Sequence, residues 1–302
     1  MNPKKIFVAG SSNTDMVIMT HNFPAPGETI LGGKFIMNAG GKGANQAVAA
    51  ARLGGTVIFV GKTGDDIFGK QAVKQLKDEG INVDFVTVDH DNPSGIALII
   101  VDHKGENSIV VAPGSNGTFS PADFNKALSE FIESEFVLMQ LEIPIPTVDH
   151  IARIAAQNLK KVILNPAPAV NLSDELLKNL YIITPNESEA ELLTGIRVTD
   201  QQSALKAAII LHEKGVENII ITMGAAGAFL FADEKSEIIR APKAEAIDTT
   251  AAGDTFNGAL AVALSEGRTI RESIIFANKA ASISVTRIGA QSSVPFRKEL
   301  TN

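Results

Sequence analysis

Four apolar segments decide the fold: FVLMQ at Phe136–Gln140, KVIL at Lys161–Leu164, YIIT at Tyr181–Thr184 and NIIIT at Asn218–Thr222. Each segment is short and almost wholly apolar, which is typical of a strand that is buried on both faces. Longer segments with helical spacing separate the four along the chain. Because strands that alternate with helices form parallel sheets, this stretch predicts a parallel sheet covered by helices.

The same alternation extends through the rest of the chain. Lys5–Ala9 and Val57–Val60 are predicted strands, Gly43–Leu53 and Phe68–Glu79 have helical spacing, and Gly80 is placed to end the second helix. Further helices are predicted near Ser120–Phe131, Thr147–Ala156, Glu187–Leu193 and Gln202–Lys214. This order places helices on both faces of the sheet.

Within each of two regions, Thr29–Met37 and Ser94–Val111, the sequence has a strand pattern and no helical segment. In the second region, Ile96–Val101 and Ser108–Val111 flank a turn-forming segment, Asp102-His103-Lys104-Gly105. Antiparallel strands of this kind would form a small sheet beside the main one. Such a sheet would be placed to close over a site at the carboxyl ends of the parallel strands.

These patterns predict the α/β class: a three-layer αβα, Rossmann-like arrangement with a mostly parallel central sheet and a small β-sheet lid. By length alone, 302 residues allow one large domain or two smaller ones. Because no Pro-rich or Ser-rich linker divides the chain, we expect a single domain over residues 1–302, with lid strands at about 14–37 and 94–112.

The composition excludes several classes of protein. Twenty-seven Lys and Arg against 34 Asp and Glu give a net charge of −7, which argues against a general nucleic-acid binder but not against a nucleotide site. The absence of cysteine excludes disulfides, iron–sulfur clusters and thiol nucleophiles. The apolar run Ile6–Ala9 is too short for a signal-peptide core, and no run approaches the ~20 residues of a membrane span. We expect a cytoplasmic protein that binds neither membrane nor nucleic acid.

The segment DTTAAGDTFNG, from Asp248 to Gly258, carries the strongest chemical signal. Small residues that lead into a helix leave backbone N–H groups open to an anion, and the helix dipole favours negative charge there. In that place Asp254 would repel a phosphate, so its functional interpretation is a base that takes a proton from an alcohol attacking phosphorus. The alternative is that Asp248 and Asp254 only cap the helix.

The segment NAGGKGANQ, from Asn38 to Gln46, has three glycines in four residues before an Ala-rich helix. Glycines there allow a ligand to approach the backbone closely, and Lys42 and Asn45 supply hydrogen bonds suited to sugar hydroxyls. The spacing is not that of a Walker A loop. The alternative is a flexible turn.

Two further segments follow predicted strands. TMGAAG, at Thr222–Gly227, is weak as a dinucleotide loop but suits a contact with a nucleotide phosphate or ribose. NESE, at Asn186–Glu189, places carboxylates in the first turn of a helix, where they serve equally as caps or as partners of Mg²⁺. Scattered histidines and the lack of a Gly-x-Ser-x-Gly segment argue against a zinc enzyme and a serine hydrolase.

From about Ile6 to Phe296, the chain resembles the PfkB-type sugar kinases. The resemblance is carried, in family order, by NTD at Asn13–Asp15, GGKGAN at Gly40–Asn45, the Thr249–Gly258 segment and GAQSSVP at Gly289–Pro295. It implies transfer of the γ-phosphoryl group of ATP to the 5-hydroxyl of D-ribose under a closing lid.

The resemblance also implies a role for individual residues. Asp254 would be the catalytic base, and the amides of Ala251, Ala252 and Gly253 would form an anion hole for the phosphoryl group. The sugar would be held by Asn13, Asp15, Gly41, Lys42, Gly43, Asn45 and Glu142. The ATP site would be lined by Asn186, Thr222, Gly224, Gly227, Gly253 and Asn278.

Two ions and a partner are implied in the same way. Glu189 would help to organise Mg²⁺ indirectly, and the lid strands would pair two copies into a homodimer. K⁺ would be held, partly through backbone carbonyls, by Asp248, Thr250, Ser284, Arg287, Gly289 and Ser293.

One departure from the family pattern lies at the anion hole, where many members have Gly-Ala-Gly-Asp and this chain has Ala251-Ala252-Gly253-Asp254. Alanine replaces glycine there without strain if the backbone φ is negative.

Three alternative functions remain to be weighed. A kinase for deoxyribose, fructose or a nucleoside is the nearest, although Asp15 favours a polyhydroxylated sugar because a carboxylate accepts hydrogen bonds from two hydroxyls. A catalytically silent sugar or nucleotide sensor would not need Asp254. An NAD-dependent oxidoreductase would need a glycine-rich loop after the first strand, where this chain offers only Gly10.

Overall fold

The computed structural model describes residues 4–300, so residues 1–3 and 301–302 of the predicted domain lie outside the described residues. The strands are β1 (Ile6–Ala9), β2 (Asn13–Met19), β3 (Lys34–Gly40), β4 (Val57–Val60), β5 (Lys62–Gly64), β6 (Thr87–Asp89), β7 (Gly95–Val101), β8 (Asn107–Ala112), β9 (Phe136–Met139), β10 (Lys161–Leu164), β11 (Ile182–Ile183), β12 (Asn218–Thr222), β13 (Ala228–Ala232) and β14 (Lys235–Ile239).

The α-helices are α1 (Lys42–Arg52), α2 (Ile67–Asp78), α3 (Pro121–Asn125), α4 (Leu128–Glu133), α5 (Ile145–Gln157), α6 (Asp174–Leu177), α7 (Glu187–Thr194), α8 (Gln201–Glu213), α9 (Ala252–Ser265) and α10 (Ile270–Ser284). Short 3₁₀-helices lie at Gly114–Thr118, Gly224–Ala226, Gln291–Ser293 and Arg297–Leu300.

The central sheet has eight strands in the order β14-β13-β12-β11-β10-β9-β1-β4. Six neighbouring strands of this sheet are parallel to one another: β4, β1, β9, β10, β11 and β12. At the other edge β13 pairs antiparallel with β12, and β14 pairs antiparallel with β13. Two apolar cores cover its faces, because successive side chains of each strand point to opposite sides. In β1, Phe7 and Ala9 face the core that includes α5 and α8, whereas Ile6 and Val8 face the core that includes α1, α9 and α10. The predicted fold class is confirmed.

A separate four-stranded sheet, which we call the lid, has the order β3-β2-β7-β8. The predicted strand at Thr29–Met37 is wrong in its first residues, because β3 begins only at Lys34. Gly32 and Gly33 have φ values of 102° and 115°, which lie outside the extended conformation of a strand. Asn13 is the first residue of β2 and pairs with both Gly40 and Gly95.

The predicted helix at Ser120–Phe131 is divided into α3 and α4. Ala127 (φ −100°, ψ 11°) leaves the helical conformation between them. The break lets Phe124 and Phe131 both pack edge-to-face against Phe7, with ring centroids 5.9 and 5.3 Å away. These aromatic contacts fix the two short helices on the sheet.

Polar side chains follow most of the parallel strands at their carboxyl ends. Ser11 follows β1, Gln140 follows β9, Asn165 follows β10 and Thr184 follows β11, and all four are buried. Ligands of open α/β sheets bind at this edge. Within residues 4–300, no helix combines the length and apolar character needed to cross a membrane.

Candidate active site

The predicted base, Asp254, lies in the first turn of α9 and is buried. Its two carboxylate oxygens accept hydrogen bonds from neighbouring residues of α1. Asn45 Nδ2 donates to Oδ2 at 3.0 Å, and Gln46 Nε2 donates to Oδ1 at 2.9 Å. Both amides hold Asp254 from one side, so each oxygen keeps a second acceptor position for a proton from a substrate.

Helices α1 and α9 approach each other closely at Gly258. A Cβ atom added at this glycine would lie 2.6 Å from Ala49 Cβ and 2.7 Å from the carbonyl oxygen of Gln46. Only a residue without a side chain permits this contact. The Ala-rich sequence of α1 and Gly258 of α9 therefore bring Asn45 and Gln46 within hydrogen-bonding distance of Asp254.

The ammonium group of Lys42 lies among four carboxylates of the predicted site. Burial lowers the pKa of Lys42, but Asp254, Glu142, Glu189 and Asp15 outweigh burial and raise the pKa above its ordinary value. The ammonium group therefore stays protonated, as a group that is to meet a phosphate or a sugar oxygen should be. Lys42 thus interacts electrostatically with three predicted site residues, Asp254, Glu142 and Asp15, and with Glu189, the predicted partner of Mg²⁺.

Asp15, on β2 of the lid, lies against the backbone of Gly40 on the neighbouring strand β3. A Cβ atom at Gly40 would come within 2.2 Å of both carboxylate oxygens. Burial, followed by the charges of Glu142 and Asp254, raises the pKa of Asp15 to about 6. Within the described part of the chain its carboxylate accepts no hydrogen bond, so both oxygens are open to hydroxyl donors.

Glu142 ties the loop after β1 to the start of α1. Its Oε2 accepts hydrogen bonds from Ser11 Oγ at 2.5 Å and from the backbone N–H of Lys42 at 3.0 Å. Gly41 has a φ of 87°, and a Cβ atom there would clash with Asn13 N at 2.6 Å. Gly43 is packed equally closely against Gly10 and Ser11. The glycine-rich loop is therefore a tightly packed structure rather than a flexible turn.

The three amides of the predicted anion hole differ in their contacts. Ala252 N–H donates to the carbonyl of Thr249 at 3.2 Å, and its role in an anion hole stays a prediction. Among residues 4–300, no acceptor takes up the N–H of Ala251 or of Gly253. A Cβ atom at Gly253 would meet no heavy atom within 4 Å, so the space beside this amide is open.

Ala251 does not meet the condition set for an alanine at this position. Its φ is 57° and its ψ is 17°, in the left-handed region that costs an L-residue roughly 1–2 kcal/mol. The strain lies directly at the N-cap of α9, three residues before Asp254.

The residues predicted for ATP lie at the ends of β11, β12 and β14. Asn186 and Glu189 form a capping box, in which Asn186 Oδ1 accepts from Glu189 N–H and Glu189 Oε2 accepts from Asn186 N–H. The backbone of Asn186 is bridged to Thr222. This arrangement satisfies the capping interpretation, and it still leaves Glu189 close enough to Lys42 to raise its pKa.

Gly224 and Gly227 continue from Thr222. Gly227 has a φ of 103°, and a Cβ atom there would lie 2.2 Å from the carbonyl oxygen of Ile239. Asn278 Nδ2 donates to that same carbonyl at 2.8 Å. Gly224, by contrast, borders open space.

The residues predicted to bind K⁺ lie where the loop before α9 meets the chain after α10. Asp248 accepts from the N–H of Thr250 at 2.9 Å and from the N–H of Gly289 at 2.8 Å. Burial alone would raise the pKa of Asp248, but these hydrogen bonds outweigh it and lower the pKa. The hydroxyls of Ser284 and Ser293 donate to carbonyls of their own turns, and the guanidinium of Arg287 pairs with Glu299.

Sequence reasoning gave no role to several buried polar residues next to Asp254: Gln46, Gln140, Asn165, Thr184 and Asn257. One signal was available for Gln46, which is a polar residue within the apolar, Ala-rich run of α1. The others follow strands or lie one turn into α9, and only the packing of the helices on the sheet brings them together.

Comparison with known proteins identifies the class to which this fold and site belong. Residues 3–297 match the family model described as pfkB family carbohydrate kinase. The chain belongs to this family, and the resemblance seen in the sequence is confirmed.

Two relatives and one solved structure show which kinds of sugar kinase the chain is most similar to among those compared. The chain is 49% identical over 296 residues to a ribokinase of Haemophilus influenzae, which covers 98% of this chain and 97% of the relative. It is 36% identical over 291 residues to a deoxyribokinase of Salmonella typhi, covering 96% and 95%. A structure of Arabidopsis thaliana ribokinase complexed with ribose and ATP matches with a TM-score of 0.92 at 34% identity, covering 100% of this chain and 98% of that one.

Proposed function

We propose that the chain transfers the γ-phosphoryl group of ATP to the 5-hydroxyl of D-ribose, giving ribose 5-phosphate and ADP. The observation that carries the proposal is one cleft that holds a buried Asp254 with both oxygens oriented, the cation of Lys42 and the unbonded carboxylate of Asp15. Similarity to ribokinases along nearly the whole chain supports ribose as the sugar.

In this reaction Asp254 takes the proton of the 5-hydroxyl as the sugar oxygen attacks the γ-phosphorus. The bond between that phosphorus and the oxygen bridging to the β-phosphate breaks, and ADP leaves. The N–H groups of Ala251 and Gly253 would donate to the transferred phosphoryl oxygens, where one such donor is worth roughly 10²–10³ in rate. Lys42 adds positive charge to the same region, and closure of the lid would exclude water.

Holding the sugar is the task of the lid and the glycine-rich loop. Asp15 would accept hydrogen bonds from two hydroxyls, while Asn13, Lys42 and Asn45 supply donors around the ring. Asn45 Oδ1 supports this assignment, because it is a buried atom without a partner among the described residues. Gly41, Gly43 and Glu142 fix the loop that presents these groups.

Magnesium is proposed to accompany ATP, with Glu189 as its nearest protein partner. Burial raises the pKa of this carboxyl, although the Asn186 N–H and Lys42 act against burial. No cluster of three metal-binding side chains occurs in residues 4–300, which fits an ion held mainly by phosphates and water. When bound, Mg²⁺ would neutralise phosphate charge.

A monovalent cation, K⁺, is proposed beside α9. Asp248, Thr250, Ser284, Arg287, Gly289 and Ser293 offer carboxylate, hydroxyl and carbonyl oxygens, which is the donor set that hard cations take. When bound, K⁺ would add positive charge near the helix start. The link from Asp248 to Gly289 holds the two segments of this set together.

We also propose a cytoplasmic single-domain enzyme that pairs through its lid. The lid face opposite Asp15 carries Ile18, Phe35, Leu98 and Val110, which are between 42% and 66% exposed. A second copy of the chain would cover this apolar face. Light scattering should give twice the chain mass for the wild type and for Lys104→Glu at the lid turn, and one chain mass for Leu98→Glu. A monomeric wild type would contradict the pairing.

A deoxyribose kinase is the second candidate, which the similarity to the Salmonella typhi protein favours. The test is coupled ADP release with ATP and Mg²⁺ against ribose, deoxyribose, fructose and adenosine, each with and without K⁺. We expect turnover with ribose that K⁺ stimulates. Preferential turnover of deoxyribose would support the second candidate, and silence on all four by folded protein would contradict a sugar kinase.

The matched variant in this assay is Asp254→Asn, which keeps the shape of the side chain and removes the base. Turnover should fall roughly 10²- to 10⁴-fold. Ribose binding, measured by calorimetry without ATP, should persist. Near-normal turnover of this variant would contradict the role of Asp254.

A further inference from the structure

We infer that Gln46 is a positioning residue that fixes the carboxylate of Asp254 for proton transfer. Its side chain is fully buried, and its Nε2 donates to Asp254 Oδ1 at 2.9 Å and to Asn165 Oδ1 at 3.1 Å. Because Gln46 lies behind the carboxylate, it acts on the reaction only through Asp254. The inference rests on the proposed function, in which Asp254 is the base.

The amide of Gln46 has one possible orientation. Gln140 Nε2 donates to Gln46 Oε1 at 2.6 Å, and Asn165 Nδ2 donates to the carbonyl of Thr184 at 3.3 Å. The second contact turns Asn165 Oδ1 toward Gln46 as an acceptor. A reversed Gln46 amide would direct its oxygen at two acceptor oxygens, which is unfavourable in a buried site. Gln140 and Asn165 thus hold the donor of Gln46 toward Asp254.

The same polar chain continues to the start of α9. Thr184 Oγ1 donates to Asn257 Oδ1 at 2.7 Å, and Asn257 Nδ2 donates to the carbonyl of Gly253 at 2.8 Å. Asp254 is therefore connected to the carbonyl of Gly253 through the side chains of Gln46, Asn165, Thr184 and Asn257. We expect a change at Gln46 to alter the geometry of proton transfer more than the binding of the sugar.

The hydrogen bond from Gln46 fixes the position of one oxygen of the Asp254 carboxylate. Asn45 supplies a similar donor to the other oxygen, but Asn45 borders the sugar and its loss would alter binding as well. Gln46 separates the two effects, because it lies away from the substrate.

The test uses the whole enzyme and the variants Gln46→Met and Gln46→Glu, which keep the length of the side chain and remove the donor to Asp254. Gln140→Met removes the group that orients Gln46, and Gln157→Met, on the exposed end of α5, is the control. Ribose affinity is measured by calorimetry without ATP, kcat by coupled ADP release, and folding by the thermal midpoint.

We expect Gln46→Met to lower kcat about 10- to 100-fold while the Kd for ribose stays within about threefold of wild type. Gln46→Glu should lower kcat further, because a second carboxylate would face Asp254, and Gln140→Met should lie between wild type and Gln46→Met.

Two results would overturn the inference. A kcat of Gln46→Met within about twofold of wild type would show that Asp254 needs no such support. A loss of kcat matched by an equal loss of ribose affinity would assign Gln46 a structural role only. If the wild type itself turns over no sugar, the proposed function has failed, and this is seen before any variant is compared.

Discussion

The carboxylate of Asp15 on β2 occupies the space that a side chain at Gly40 on β3 would fill. A Cβ atom at Gly40 would lie 2.2 Å from both Asp15 oxygens. Gly40→Ala should therefore displace Asp15 and weaken ribose binding by about tenfold or more, at a small cost to stability. Calorimetry without ATP measures the change.

The matched control for this prediction is Gly117→Ala, whose new Cβ atom would meet its nearest neighbour, Pro113, at an ordinary 3.4 Å. It should bind ribose as the wild type does. Unchanged affinity of Gly40→Ala would mean that Asp15 holds the sugar from another position or not at all.

The raised pKa of Asp15 predicts a pH dependence of sugar binding. The pKa lies at about 6, because burial and the charges of Glu142 and Asp254 disfavour the ionised form. Below about pH 6 the protonated carboxyl loses an acceptor, so the Kd for ribose should rise by up to about tenfold per pH unit. Asp15→Asn should bind weakly with little dependence on pH. A constant wild-type Kd between pH 7 and pH 5 would contradict the prediction.

The same group affects stability with a defined sign. Between its ordinary value of 3.8 and about 6, the folded protein retains a proton that the unfolded chain has released. The free energy of unfolding contributed by Asp15 therefore falls as pH rises through this window, and the penalty is complete above it. Urea denaturation of wild type and Asp15→Asn should give a difference that favours the variant more at pH 7 than at pH 4.

Ala251 and Ala252 offer a test of backbone strain at the start of α9. Ala251 has a φ of 57°, whereas Ala252 is the first residue of the helix. Ala251→Gly should leave the free energy of unfolding unchanged or raise it, because relief of strain offsets the flexibility of glycine. Ala252→Gly relieves no strain and should cost about 0.5 kcal/mol. Chemical denaturation compares the two, and the opposite order would contradict the observed backbone.

Gly258 is the position at which the contact between α1 and α9 can be tested. In Gly258→Ala the new methyl group would meet Ala49 Cβ at 2.6 Å and the Gln46 carbonyl at 2.7 Å. The helices must separate, which should cost about 1–3 kcal/mol and lower kcat. A third close contact, at 2.8 Å, is with the backbone nitrogen of Ala50, so adding Ala49→Gly removes one of three clashes and should restore part of the stability, measured by denaturation. A Gly258→Ala protein as stable as the wild type would contradict the packing.

Much of the fold could be predicted because its signals are local. The strands at Val57–Val60, Lys161–Leu164 and Asn218–Thr222 have the predicted bounds, since short apolar runs between helical patterns identify buried strands. The lid was harder. β2 begins with the polar residues Asn13-Thr14-Asp15, which weaken the apolar pattern that marks a strand.

The residues of the candidate site also differ in how far the sequence indicates them. Asp254 is indicated as a candidate base by its place at the start of a helix. Gln46 could not be linked to it, because the two residues are 208 positions apart and meet only where α1 crosses α9. The positive φ of Ala251 was equally hidden, since an alanine gives no sign of a left-handed backbone.

The lid has a consequence for how relatives of this chain can diverge. Its strand β2 directs Asp15 to the cleft and Ile18 to the opposite, exposed face. Inserting one residue between them would exchange the two faces from that point on, because side chains alternate along a strand. We therefore expect insertions between Asp15 and Ile18 to be tolerated in pairs rather than singly.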